Sequence, residues 1–207
     1  MPQDFDIALG HTAADWKRLK LDPHARDTSD WKTAIAMLRA RMEDRFFSPV
    51  QLLIDTQVPC KQVHGFVVLA IDCLRMEMLQ GFRKGLKDHK GKSGELFERF
   101  LVAWPVFPEN LPATKAASAW AREVYVSCRC ALLHSGCSNG FTVGISGEAF
   151  TFDDEALRDI NRTKLHAEIE LVYNAYFEDL LKSEKSDLRA NFLRMDVICA
   201  VATREES

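Results

Sequence analysis

The sequence predicts an all-α fold, an up-and-down helical bundle with one small β-hairpin inserted. Two observations carry this: apolar residues recur at helical three-and-four spacing through most of the chain, and the pattern changes to strand-like alternation only over 141–152. A third is length. With 207 residues and 47% hydrophobic content the chain can bury one sizeable core, read as a single helical domain over 30–207 with an N-terminal arm, 1–29, packed on it.

The arm is polar and irregular, and Trp16 is its best anchor to the body. Ser29 or Asp30 can cap a helix through Trp31, Ile35, Leu38, Met42 and Phe46, with Pro49 following its end. A second helix, about 62–86, is apolar on nearly every side between Phe66 and Phe82, as a central bundle member is. It gives way at Gly85 to a mostly basic loop. A short helix over 95–103 stops near Pro105 and Pro108, and another runs over 114–134, with Gly136 placed to end it.

Phe141 to Ile145 and Glu148 to Phe152 flank Ser146-Gly147, the pattern of a hairpin. Asp153 and Asp154 can cap the next helical region, which continues past a break near Asn161 through Leu165, Ile169, Val172, Tyr176 and Leu180. A last helix follows Ser186-Asp187 and carries Leu188, Phe192, Met195, Ile198 and Val201 on one stripe.

Composition narrows the function. The 27 basic and 30 acidic side chains leave a formal charge of -3, so any nucleic-acid contact has to come from a local patch. The N-terminus lacks the basic-then-apolar order of a secretion signal, and Asp72, Arg75 and Glu77 interrupt the longest apolar run. A cytoplasmic protein without a membrane span is expected. The six cysteines show no paired CxxC spacing, so reduced thiols are expected, with no metal site and no cofactor. A glycine-rich phosphate loop after a strand, HExxH and a GxSxG elbow are all missing from the sequence.

What remains is Arg129-Cys130-Ala131-Leu132-Leu133-His134. Arginine binds phosphate and histidine moves protons near neutral pH, so the two together permit attack on a phosphodiester without a metal. An arginine followed by a histidine after four to six intervening residues also occurs at Arg18 with His24 and Arg83 with His89, but those pairs straddle Pro23 and Gly85, whereas Arg129 and His134 sit on an apolar helix that can present them rigidly. On a regular helix five steps of ~100° set the two side chains ~140° apart. They converge only if the helix distorts before Gly136, or if two copies of the chain meet along this helix. Cys128 with His134 as thiol and base is disfavoured, because their spacing on one helix aims them in different directions.

At these residues the chain resembles the HEPN superfamily (higher eukaryotes and prokaryotes nucleotide-binding domains), whose mark is an arginine, four to six residues and a histidine near the end of a bundle helix. The likeness covers about Trp31 to Leu181 as helix order and burial pattern. It implies a HEPN-like bundle that forms a homodimer through the motif helix and, in active members, cuts RNA without a metal. By position Arg129 matches the motif arginine and His134 the motif histidine, the catalytic pair. Many members place a polar residue after the arginine, where this chain has Cys130.

Glu77 is similar to an acidic residue that such proteins set opposite the motif arginine, and Asp72 is a second candidate; Glu77 could equally pair with Arg75 or reach solvent. Arg83, Lys84, Lys87 and Lys90 could steer single-stranded RNA or form the ordinary wet end of a helix, and Tyr125 could stack a base or pack. The resulting expectation is a metal-independent endoribonuclease acting on single-stranded RNA at a dimer seam. The alternatives are a non-catalytic RNA- or nucleotide-binding module, and a helical interaction protein such as the partner half of a toxin–antitoxin or defence system.

Overall fold

The computed structural model describes residues 6–56, 64–182 and 184–195. These are mostly helical, about 65% helix, with two small sheets. The chain divides into two compact units, one made of 1–49, 81–88 and 173–207 and the other of 50–80 and 89–172.

The first unit opens with structure that the polar composition hid. Strands β1 (Asp6–Ala8) and β2 (His11–Thr12) pair antiparallel across a turn where Gly10 takes a positive φ of 74°. Helix α1 (Ala13–Arg18) begins with a capping box, in which the Thr12 hydroxyl accepts the Asp15 N–H and Asp15 returns a bond to the Thr12 backbone. The arm is therefore ordered, where an irregular segment was expected. Trp16 packs edge-on against Phe192, centroids 5.9 Å apart.

Helix α2 (Ser29–Met42) is capped by Thr28, one residue before the expected caps. Its Trp31 is fully buried and donates its indole N–H to the Asp22 carbonyl at 2.8 Å. A π-helical turn (Glu43–Phe47) and helix α3 (Ser48–Asp55) follow without a break. Pro49, expected to lie beyond the helix, sits instead at the second position of α3, directly after the π-helical turn, where the Ser48 N–H still donates to the Glu43 carbonyl.

Helix α4 (Gly65–Lys84) carries the near-continuous apolar run; Gln62 and Val63, at its expected start, lie outside the described residues. Phe82 stacks on Tyr176 and meets Phe192, each at 6.3 Å. The chain leaves α4 at Gly85 with φ of 65°, where a Cβ would lie 3.0 Å from the Asn191 backbone. A side chain there would meet both strain and a clash.

In the second unit, α5 (Ser93–Ala103) and the short α6 (Val106–Glu109) bring Phe100, Trp104 and Phe107 into the core. Helix α7 (Ala117–Val124) adds Trp120, whose ring centroid lies 4.9 Å from that of Phe152. A π-helical segment (Tyr125–Cys130) and α8 (Ala131–Ser135) continue α7, and Gly136 closes α8 in the left-handed conformation, as its position predicts.

The expected hairpin is not formed. Strands β3 (Thr142–Gly144) and β4 (Phe150–Phe152) do not pair with each other; both flank β5 (Leu157–Asn161), β3 in parallel and β4 antiparallel. The residues of β5 were expected to be helical, as the start of the region that Asp153 and Asp154 would cap. In the ladder Thr151 faces Asp159 while Phe152 faces Leu157, so β5 carries one extra residue there. That bulge breaks the two-residue alternation and lets Leu157 and Ile160 both be buried.

Asp153 does use its capping chemistry, but for a turn. Its Oδ1 accepts the N–H groups of Glu155 and Ala156 at 3.0 and 2.8 Å, directing the chain into β5. Helix α9 (Arg162–Lys182) starts only after Asn161. Helix α10 (Ser186–Met195) ends the described chain, and Ile198 and Val201 lie outside it.

Two outcomes follow. Trp120→Ala removes a fully buried ring and is expected to destabilise the protein by about 3–5 kcal/mol in denaturant titration. The Ala156 N–H, the Arg158 guanidinium and the Glu155 N–H hold the Asp153 carboxyl down at about 2. A depressed folded value means that the turn's stabilisation is complete above the unfolded value of ~3.9 and fades as pH falls through about 2. An NMR titration of the Asp153 carboxyl checks the value directly.

Candidate active site on the π-distorted helix

The site is built on the continuous run α7, π segment and α8. Ser127 Oγ donates to the Glu123 carbonyl at 2.7 Å, and the Asn139 N–H donates to the Ser127 carbonyl at 3.1 Å. The loop after α8 is thereby tied back to the widened turn. π-Helical turns of this kind occur often at functional positions. Cys128, buried within this turn, has its Sγ 3.7 Å from that of Cys73 on α4. The Cys128 contact, followed by burial, pushes the Cys73 thiol well up, so it stays protonated.

One residue on, Arg129 reaches Glu77 of α4. Its Nε donates to Oε1 at 2.5 Å and its Nη2 to Oε2 at 3.2 Å, a fork on a carboxylate. The Glu77 side chain is 4% exposed and that of Arg129 17%. Burial works against the guanidinium's charge, but the Glu77 bonds outweigh it and hold its pKa above the ordinary value. Of the two partners weighed for Glu77, the structure selects Arg129 over Arg75.

Asp72 is not the second partner of Arg129. It is buried and accepts from Arg75 Nη1 at 2.7 Å, with His166 Nδ1 3.1 Å from the same oxygen and 2.9 Å from Arg75 Nη1. Five helical steps separate Asp72 from Glu77, so α4 turns the two carboxylates to different neighbours. Sequence reasoning missed His166 and the role of Arg75. The available signal was a charged i, i+3 pair on a helix apolar all round, because charges there are almost never buried without partners.

His134, near the end of α8, is exposed. The π segment ends at Cys130, so Arg129 and His134 are still separated mainly by α-helical turns. Within one chain the distortion does not swing them together: Arg129 turns inward to Glu77, and His134 faces water. Cys130 is half-buried and interacts with Tyr125, whose hydroxyl is pushed up by burial and by that contact. Tyr125 packs, its ring 5.7 Å from Phe97 with the guanidinium of Arg129 at 5.7 Å over its face.

Of the basic cluster, Arg83, Lys84 and Lys87 belong to the first unit, and Lys90, like Arg129, to the second. Arg83 is half-buried, and that burial lowers its pKa; Lys84, Lys87 and Lys90 are exposed. Among the described residues no group of three or more His, Cys, Asp and Glu side chains could hold a metal ion, and no helix is long and apolar enough to cross a membrane.

Fold and site together define a mostly helical protein with a carboxylate-anchored arginine on a π-distorted helix and a solvent-facing histidine at that helix's end. Comparison with protein-family models, with curated proteins and with solved structures gave no match to this chain.

The unequal exposure of the pair sets an asymmetry. Arg129→Ala strands a carboxylate that cannot reach water and is expected to cost about 3 kcal/mol, whereas Glu77→Ala strands a guanidinium that can, and is expected to cost roughly 1–2 kcal/mol. Urea melts of both variants measure the difference.

Proposed function

We propose that this protein is a metal-independent endoribonuclease of HEPN type, with a second copy of the chain completing the site. The observation that carries this reading is the Glu77-held Arg129 on the same short helical run as an exposed His134. Glu77 uses two of the five guanidinium N–H groups, and three stay available for phosphoryl oxygens. Exposed Leu133 on this run, with exposed Leu74 on α4, supplies apolar surface for a second copy to cover.

In the reaction, a ribose 2′-oxygen attacks its own phosphorus while one His134 takes the hydroxyl proton. The bond to the 5′-oxygen breaks, and that oxygen takes a proton from the other copy's His134 or from water. Both copies of Arg129 hold the extra negative charge on the phosphoryl oxygens. The products are a cyclic phosphate and a 5′-hydroxyl.

A second reading is RNA or nucleotide binding without turnover. Favouring it is the same fork: both Glu77 oxygens are committed to Arg129, which neutralises it in advance, and the neighbouring Cys130 offers only a thiol.

Labelled single-stranded RNAs of varied sequence, incubated in EDTA, separate the two readings. Wild type is expected to yield cyclic-phosphate ends, and His134→Ala, a surface change that spares the core, to lose at least ~100-fold in rate. Equal rates in both proteins, or intact RNA with wild type throughout, would overturn the nuclease reading; retained RNA affinity in the second case supports the binding module.

A further inference from the structure

A cleft of about 500 Å³ opens in the second unit beside the π segment, within the size range of small-ligand sites. Its floor is apolar, formed by Ala119, Val126, Ala156 and Leu157, and Arg122, Arg158, Ser127 and Asn139 stand around it. We propose that this cleft is a binding site for a nucleotide phosphate, with the two arginines gripping the phosphate and the apolar floor carrying the base or sugar. For the path of an RNA strand this rests on the reading above, since Val126 lies on the same helical run three residues before Arg129; the chemistry of the cleft stands without it.

Charge and cheap exchange favour a phosphate here. Glu123, the acidic residue in the lining, is already neutralised: Lys115 Nζ lies 2.8 Å from its Oε2, and the Leu157 N–H donates to Oε1. The exchange therefore falls to the pairs made by the two guanidiniums. Arg122 bonds Glu98 at 2.9 Å and Arg158 bonds Asp153, with both arginine side chains at least half exposed. Exposed pairs of this kind are worth about 0–1 kcal/mol, so an incoming phosphate displaces either carboxylate at little cost. In return it accepts paired N–H bonds from two planar forks, the geometry that suits arginine to phosphate.

The rest of the lining matches a nucleotide better than a bare anion. Asn139 is exposed at the rim, and the anchoring of its backbone N–H on Ser127 fixes where its side chain starts. An amide there can read a base edge. Val126, 46% exposed, gives a flat ring an apolar surface to lie on.

The probe is a fluorescein-labelled, 2′-O-methylated single strand, which cannot undergo 2′-hydroxyl attack, with AMP and inorganic phosphate as competitors, all in EDTA. The full chain is compared with Arg122→Gln/Arg158→Gln and with Arg26→Gln/Lys182→Gln, which removes equal charge from exposed positions in the first unit. The proposal expects the cleft variant to bind the strand at least ~10-fold more weakly, with a salt dependence shallower by about one to two phosphate contacts, and the control to bind like wild type. Displacement by AMP at lower concentration than by phosphate marks the free nucleotide as a ligand; AMP no better than phosphate marks the strand. No binding of strand or AMP by wild type, or equal losses in the two double variants, overturns the proposal. Binding through the cleft together with uncut RNA in the cleavage assay would remove the nuclease reading and leave the cleft.

Discussion

The pairing of Glu77 with Arg129 is the constraint on which the site depends. A carboxylate 4% exposed on a helix as apolar as α4 requires a cation, and a guanidinium on the π segment supplies it with two bonds. Each partner thereby fixes the other's element. The pair sets the rotation of the π segment about its axis, because Arg129 cannot turn away without leaving a dry charge behind. Cys128, one residue earlier, is fixed by the same choice against Cys73. Position and charge state of the arginine are thus properties of the packing between α4 and the π segment, not of the short motif alone.

Helix α4 settles a second polar problem on another face. Asp72, Arg75 and His166 form a fully buried cluster in which one carboxylate oxygen and one guanidinium nitrogen both approach the same ring nitrogen. Such a cluster is a weak source of stability but a strict condition on register, since sliding α9 along α4 by one turn would carry His166 away from the Asp72 and Arg75 pair. The cluster and the Glu77 pair together fix where the apolar positions of α4 point. An apolar helix by itself would tolerate several rotations; Asp72 Oδ1, Arg75 Nη1 and both Glu77 oxygens, each with a polar partner, tolerate one.

Helix positions were legible in the sequence because their signals are local: apolar spacing, Pro105 just past the end of α5, Gly136 at the end of α8. The Glu77 and Arg129 contact was legible as an expectation, since a buried acid must find a base. The sheet was not, and for a definite reason. Asp153 forms the same backbone bonds in a turn as at a helix start, and the bulge in β5 gives Leu157 and Ile160 a helix-like spacing. Each local signal was genuine and compatible with two structures; β3 and β4 on either side decide between them, and the parallel pairing of Thr142 with Asp159, 17 positions on, leaves no local trace. The π segments were hidden for a similar reason, because one extra residue in a turn alters no residue preference. The cleft escaped notice because Arg122 and Arg158 lie 36 positions apart and line one cleft only once β5 exists.

The distribution of exposure along the motif helix bears on why one chain is an incomplete site. Arg129 is largely dry and His134 wet, so the two groups sit in different dielectric surroundings, and a proton carrier in bulk water gains little from a charge held nearby. On the proposed reading, a second copy laid over Leu133 and Leu74 changes this without moving either residue. Covering that surface excludes water from around His134, brings it into the same low-dielectric region as both guanidiniums, and lets a phosphate there feel the arginines at nearly full strength. The desolvation of Arg129 is already met within each chain by Glu77, so association has only to bury apolar area and the histidine. A site divided in this way stays weak in the single chain and becomes reactive on pairing, and the Glu77 bond is what keeps the buried charge affordable in both states.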